Sequence, residues 1–213
     1  ITIREGLNSG KDGLGFPLKN PSSNVLRLNG SVKEYINVPD SNAFDIQEGF
    51  TVEFWMKQPD MGSGYQTLVA RDDHTNRNWA IMSVSGMLNI YLFSGNSFVA
   101  STQTSATYDD NNWHHICVIV TSGTSIQIYV DTVLAKLNTT SIPTTIDNDP
   151  ANLTIGRKVD EQYFKGLIDE VRFYNKALTV FEADGSAPEE GETATSGELV
   201  KNYKHGKGKH KND

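Results

Sequence analysis

One cysteine in 213 residues, Cys117, leaves the chain without an internal disulfide. It sits in the apolar run WHHICVIVT and is expected to be a small buried core residue. No apolar run approaches the roughly 20 residues that a membrane-crossing helix needs, so membrane insertion is not expected. Positive charge is also scarce: 19 Lys and Arg against 26 Asp and Glu give a net charge of −7. A phosphate-binding surface has to be basic, so nucleic acid is not an expected partner. A G-x-S-x-G turn, a Walker loop and an H-E-x-x-H helix are all missing, which removes three common catalytic frameworks. The chain starts at Ile1 with no visible leader, and this leaves its compartment open.

What the chain does have is strand chemistry. With 9 Phe, 8 Tyr, 3 Trp and a hydrophobic share of 37%, it can fill the core of one large all-β domain. Residues 1–24 are polar and punctuated by Gly6, Gly10, Gly13 and Gly15, and read as an irregular lead-in. Short strand signals then recur with turn residues between them: VLRLNG, EYINVP, FTVEFWMK, MLNIYLF, SFVAST, WHHICVIVT, SIQIYVD and ANLTIGR. Residues 65–71 and 78–84 read as hairpin arms joined by the polar loop RDDHTNRN. The stretch GLIDEVRFYNKAL, from Gly166, carries bulk on both faces. Strict alternation would put Leu167, Asp169, Val171 and Phe173 on one face and Ile168, Glu170, Arg172 and Tyr174 on the other, in a strand sandwiched between neighbours.

Three separated motifs carry a resemblance. GLIDEVRFYNKAL is similar to the closing strand G-x-I-D-E-V-R-I-Y-N-R-A-L of laminin-G-like domains of the concanavalin A-like lectin and glucanase superfamily. Trp113, His114, His115, Tyr129, Val130 and Asp131 resemble its W-H-H…Y-V-D-G pattern, with Thr132 standing where that family has Gly and so implying a different hairpin turn. ANLTIGR resembles its L-x-I-G strand. The resemblance implies an all-β antiparallel sandwich, a jelly roll, over residues 25–205 with a short C-terminal helix. Residues 183–197 would then be an acidic insert and residues 206–213 a basic tail. The ending is loosely similar to those of such domains in structural proteins of marine viruses.

For function, the resemblance implies a non-catalytic carbohydrate-binding or adhesion module on an extracellular or virion surface. Its partners would be a glycan or a glycosylated surface. The alternative is a structural or decoration domain whose partners are other subunits of an assembly. Sugars stack on aromatic faces and hydrogen-bond sideways to planar polar groups. The hairpin loop offers such a set in Tyr65, Arg71, Asp72, Asp73, His74, Asn76, Arg77 and Trp79, whereas Trp55 and Trp113 suit core positions. The resemblance also allows one structural Ca²⁺ at Asn29 and Asp169, although a neutral Asn weakens that site. Enzymatic activity is the minority reading. Asp169 and Glu170 are adjacent and cannot form a one-strand glycosidase acid pair. The lyase-like fragment Tyr163-Phe164-Lys165-Gly166 lacks its companion histidine, because Gln127-Ile128 is followed by Tyr129. Adjacent His114 and His115 point to opposite faces and cannot share a metal.

Overall fold

A computed structural model describes residues 25–46, 48–158 and 162–178. Twelve strands run through them: β1 (Leu26–Leu28), β2 (Ile36–Val38), β3 (Gly49–Lys57), β4 (Tyr65–Asp72), β5 (Arg77–Val84), β6 (Met87–Ser94), β7 (Ser97–Thr107), β8 (Trp113–Thr121), β9 (Ser125–Val130), β10 (Val133–Asn138), β11 (Leu153–Ile155) and β12 (Gly166–Tyr174). They form two six-stranded sheets, ordered β1-β12-β3-β8-β9-β10 and β2-β11-β4-β5-β6-β7, and every pairing is antiparallel.

The sandwich forms because its central strands β3, β6 and β8 are apolar at every second residue. In β3, Phe50, Val52, Phe54 and Met56 point inward; β6 answers with Leu88, Ile90 and Leu92, and β8 with Ile116, Val118 and Val120, all buried in one cluster. Trp79 belongs to the same cluster, stacked on Phe50 at 4.9 Å and parallel to Phe173 at 6.0 Å. Burying each of these large side chains contributes about 1.5–3 kcal/mol.

The closing strand β12 lies between β1 and β3, flanked on both sides as its double-faced bulk implied. Its alternation is broken by a bulge. Ile168 pairs with Met56, yet Phe173 pairs with Val52, so the ladder slips by one residue between Asp169 and Arg172. Glu170 has φ 52 within it. The slip gathers Ile168, Val171 and Phe173 on the core face, while Arg172 and Tyr174 turn to Glu53. Regular alternation could not anticipate this.

Other local readings also shift. Cys117 is half-buried outside the core cluster, because inward Ile116 and Val118 flank it and turn it outward. Trp55 and Trp113 stand partly exposed on that same outer face. Strand β10 follows a two-residue turn in which Asp131 has φ 50 and Thr132 φ 72. Two positive φ values are what a type I′ hairpin needs, so Thr132 holds a left-handed conformation that glycine takes without steric cost. The expected lead-in, C-terminal helix, acidic insert and basic tail lie outside the described residues.

Candidate functional site

The hairpin β4–β5 divides the expected ligand residues by parity. Arg71 pairs with Trp79, and both point into the sandwich, where both are fully buried. The Arg71 guanidinium donates to the carbonyls of Phe44 (2.8 Å), Ala151 (3.2 Å) and Asp149 (3.2 Å) and to Asp40 (2.7 Å). It clamps the β2–β3 and β10–β11 connections from inside. Tyr65 is exposed but starts β4, seven residues before Asp72 and about 20 Å from the loop.

The remaining five residues are brought together at the hairpin tip. Asp73 accepts from the backbone amides of Thr75 (3.1 Å) and Asn76 (2.7 Å), and His74 takes φ 74 between them. The Asn76 amide reaches the Pro150 carbonyl at 3.3 Å. Asp72 turns to the outer face of the second sheet and is only 2% exposed. It accepts the backbone amide of His74 at 3.1 Å and a side-on pair from Arg77, Nε at 3.1 Å and Nη2 at 3.0 Å. Lys158 Nζ approaches the same carboxylate at 3.4 Å.

Sequence reasoning missed what Arg77 rests on. Its guanidinium carbon stands 3.8 Å over the ring of Phe93, with Lys158 Nζ at 5.7 Å from that ring. Phe98 meets Phe93 edge-on at 6.4 Å and Tyr91 at 6.2 Å, and is 57% exposed. Phe93 and Phe98 pair across the Gly95-Asn96 turn, and the Asn96 side chain accepts the Arg77 amide at 2.9 Å. The alternation of β6 marks Tyr91 and Phe93 as sharing the face opposite Ile90 and Leu92. Lys158 gave no signal, since only tertiary packing brings it there.

The expected calcium donors are not brought together. Asn29 follows the Leu28–Gly166 pair at one end of β1, and Asp169 lies just beyond the Leu26–Ile168 pair at the other, about 13 Å away along the strand. The Asn29 side chain accepts from Ser31 N at 3.1 Å, and the Asp169 carboxylate from Glu170 N at 2.9 Å. Among the described residues no three His, Cys, Asp or Glu side chains group as metal ligands. The residues do not fit one shared ion.

A laminin-G family of the concanavalin A-like lectin/glucanases superfamily matches residues 29–183. The chain belongs to that superfamily. Among solved structures, the fold is similar to the binding domain of Paraclostridial Mosquitocidal Protein 1 (TM-score 0.61, 18% identity, 73% of this chain and 41% of that one). It is also similar to the Botulinum neurotoxin serotype D ligand binding domain in complex with N-acetylneuraminic acid (0.57, 17%, 79% and 43%). A third is domain 4 of AbnA, an extracellular arabinanase from Geobacillus stearothermophilus, in complex with arabinotriose (0.54, 23%, 73% and 72%). The chain spans about two-fifths of the toxin domains. No curated protein matches the sequence.

Glucanases, which give the superfamily part of its description, act through paired carboxylates. Glu53 and Glu170 flank one guanidinium, that of Arg172, at 2.9 and 2.6 Å. Burial alone would raise the Glu53 carboxyl; the hydrogen bond and charge of His115, and then Arg172, outweigh it and hold it below the usual carboxylate range. A glycosidase acid needs the opposite shift. His114 lies between Asp131 (2.7 Å) and Asp110 (3.1 Å), with no hydroxyl or thiol nucleophile among these contacts.

Proposed function

We propose that this chain is a non-catalytic carbohydrate-binding or adhesion module of an extracellular or virion surface. Its glycan docks on the outer face of β5–β7, against Phe98, Tyr91 and the Arg77–Phe93 stack, with Asp73, His74 and Asn76 at the rim. One observation carries the reading: an aromatic side chain that is 57% exposed, Phe98, is held edge-on against two further rings beside a fixed guanidinium. Sugar rings stack on such faces, and their hydroxyls need planar donors beside them. Two neighbours of the same fold that were solved with bound sugars support this choice of ligand. The test is a glycan array probed with the folded chain and with Phe98→Ala. Selective binding that disappears in the variant supports the site, whereas silence from folded wild-type protein removes the lectin reading.

A second reading has its own observation. Val133, Leu134 and Leu137 are exposed on β10, an edge strand of the first sheet. An apolar edge of this kind suits contact with other subunits of an assembly, the role of a structural or decoration domain. Native mass spectrometry with candidate assembly partners tests it.

A further inference from the structure

We propose that the ligand is an acidic glycan whose sugar carboxylate binds between Arg77 and Lys158; this rests on the glycan reading above. Asp72 carries one negative charge and is contacted by two cations, Arg77 and Lys158, so the cluster keeps a net positive charge. Its hydrogen-bonding capacity is also one-sided. Asp72 uses only the side-on edge of Arg77, through Nε and Nη2, which leaves the end-on edge with its Nη1 donors facing no partner among the described residues. Among the described residues, Lys158 has one carboxylate oxygen within reach for its three N–H groups. The acceptor itself is buried, while both cations retain some exposure. A planar carboxylate matches an end-on guanidinium edge bidentately, whereas a neutral hydroxyl leaves the extra charge uncompensated.

Strands β6 and β7 with their turn, MLNIYLFSGNSFVASTQTSAT, contain no charged residue. The nearest carboxylate to the turn, that of Asp147, is engaged by Ser94 Oγ at 3.3 Å and by the Gly95 amide at 2.6 Å. Phe98 then covers the apolar face of the sugar ring while the carboxylate reaches past Phe93 to the two cations.

Titration of wild-type protein with one oligosaccharide in three forms tests the proposal: the uronic or sialic acid, its carboxyl-reduced alcohol, and a sulfate ester in place of the carboxylate. The acid is expected to bind about tenfold tighter than the alcohol, the equivalent of one charge-assisted hydrogen bond. That advantage should shrink as salt is raised. Lys158→Gln, checked for an unchanged melting temperature, should reduce the ratio to about threefold or less. Equal binding of acid and alcohol would overturn the carboxylate assignment and leave the glycan reading intact, and tighter binding of the sulfate would overturn it likewise. Absence of binding to all three and across the array would remove the glycan reading itself.

Discussion

The Asp131 carboxylate joins two neighbouring histidines of β8. Oδ2 lies 2.7 Å from His114 Nδ1, and Oδ1 accepts the His115 backbone amide at 2.8 Å. His114 also reaches Asp110, at 3.1 Å through Nε2. This explains why a W-H-H strand is followed by a Y-V-D turn: the aspartate fastens the start of one strand to the end of the next.

Stability therefore depends on pH in a stated direction. The Asp131 hydrogen bond raises the His114 pKa above 6.5, against the opposing effect of burial, with Asp110 adding to the rise. A raised folded-state pKa gives stability that is complete below 6.5 and lost as pH climbs through the folded value. The carboxylates act at the other end. Asp110 is held at about 2 by Asn112 and then His114, so its contribution is complete above the ordinary carboxylate range and is lost as pH falls toward 2. Denaturant midpoints should be highest near pH 5–6 and fall on either side. The alkaline loss is about 1 kcal/mol or less after solvent screening. His114→Gln should flatten the alkaline limb, and an unchanged limb would sink this assignment.

Two hairpin turns make opposite predictions. Thr132 pays the left-handed penalty at φ 72, so Thr132→Gly should stabilise by about 0.5–1 kcal/mol once unfolded-state entropy is subtracted. Gly86 has φ 80, and a Cβ there would run into the Asp109 carboxylate. Gly86→Ala should destabilise by about 2 kcal/mol or more. Urea midpoints of the two variants decide both claims.

Arg71 and Arg77 sit in one hairpin but do different work. Arg71→Ala leaves the carbonyls of Phe44, Ala151 and Asp149 without their buried donor. A loss of about 3 kcal/mol or more in stability is expected. Thermal unfolding measures it. A near-neutral variant would show that the clamp is dispensable.

Calcium should matter little. Since Asn29 and Asp169 stand at opposite ends of β1, adding millimolar Ca²⁺ or a chelator should move the melting temperature by less than about 1 °C. A rise of several degrees would show an ion bound elsewhere.

The sandwich was legible because inward positions recur at every second residue with turn chemistry between, and because the closing strand and the W-H-H pair resemble one family. The β12 bulge was hidden, since one extra residue reverses parity without changing composition. Strand β10, VLAKLN, passed unnoticed for lack of clean alternation. Of the loop residues, the tip cluster was visible as a polar run. The burial of Trp79 was open to a core reading, because it begins a strand, whereas that of Arg71 was set by register, which no local pattern reveals; Lys158 arrives from about 80 residues away along the chain.

The platform on the outer face of β5–β7 is the central claim, and Phe98 tests it most directly. Its side chain is largely exposed, so Phe98→Ala should cost under about 1 kcal/mol of stability. Glycan affinity of the folded variant should fall about tenfold or more, as expected for an aromatic anchor. A folded Phe98→Ala protein that binds its glycan as tightly as wild type would contradict the account.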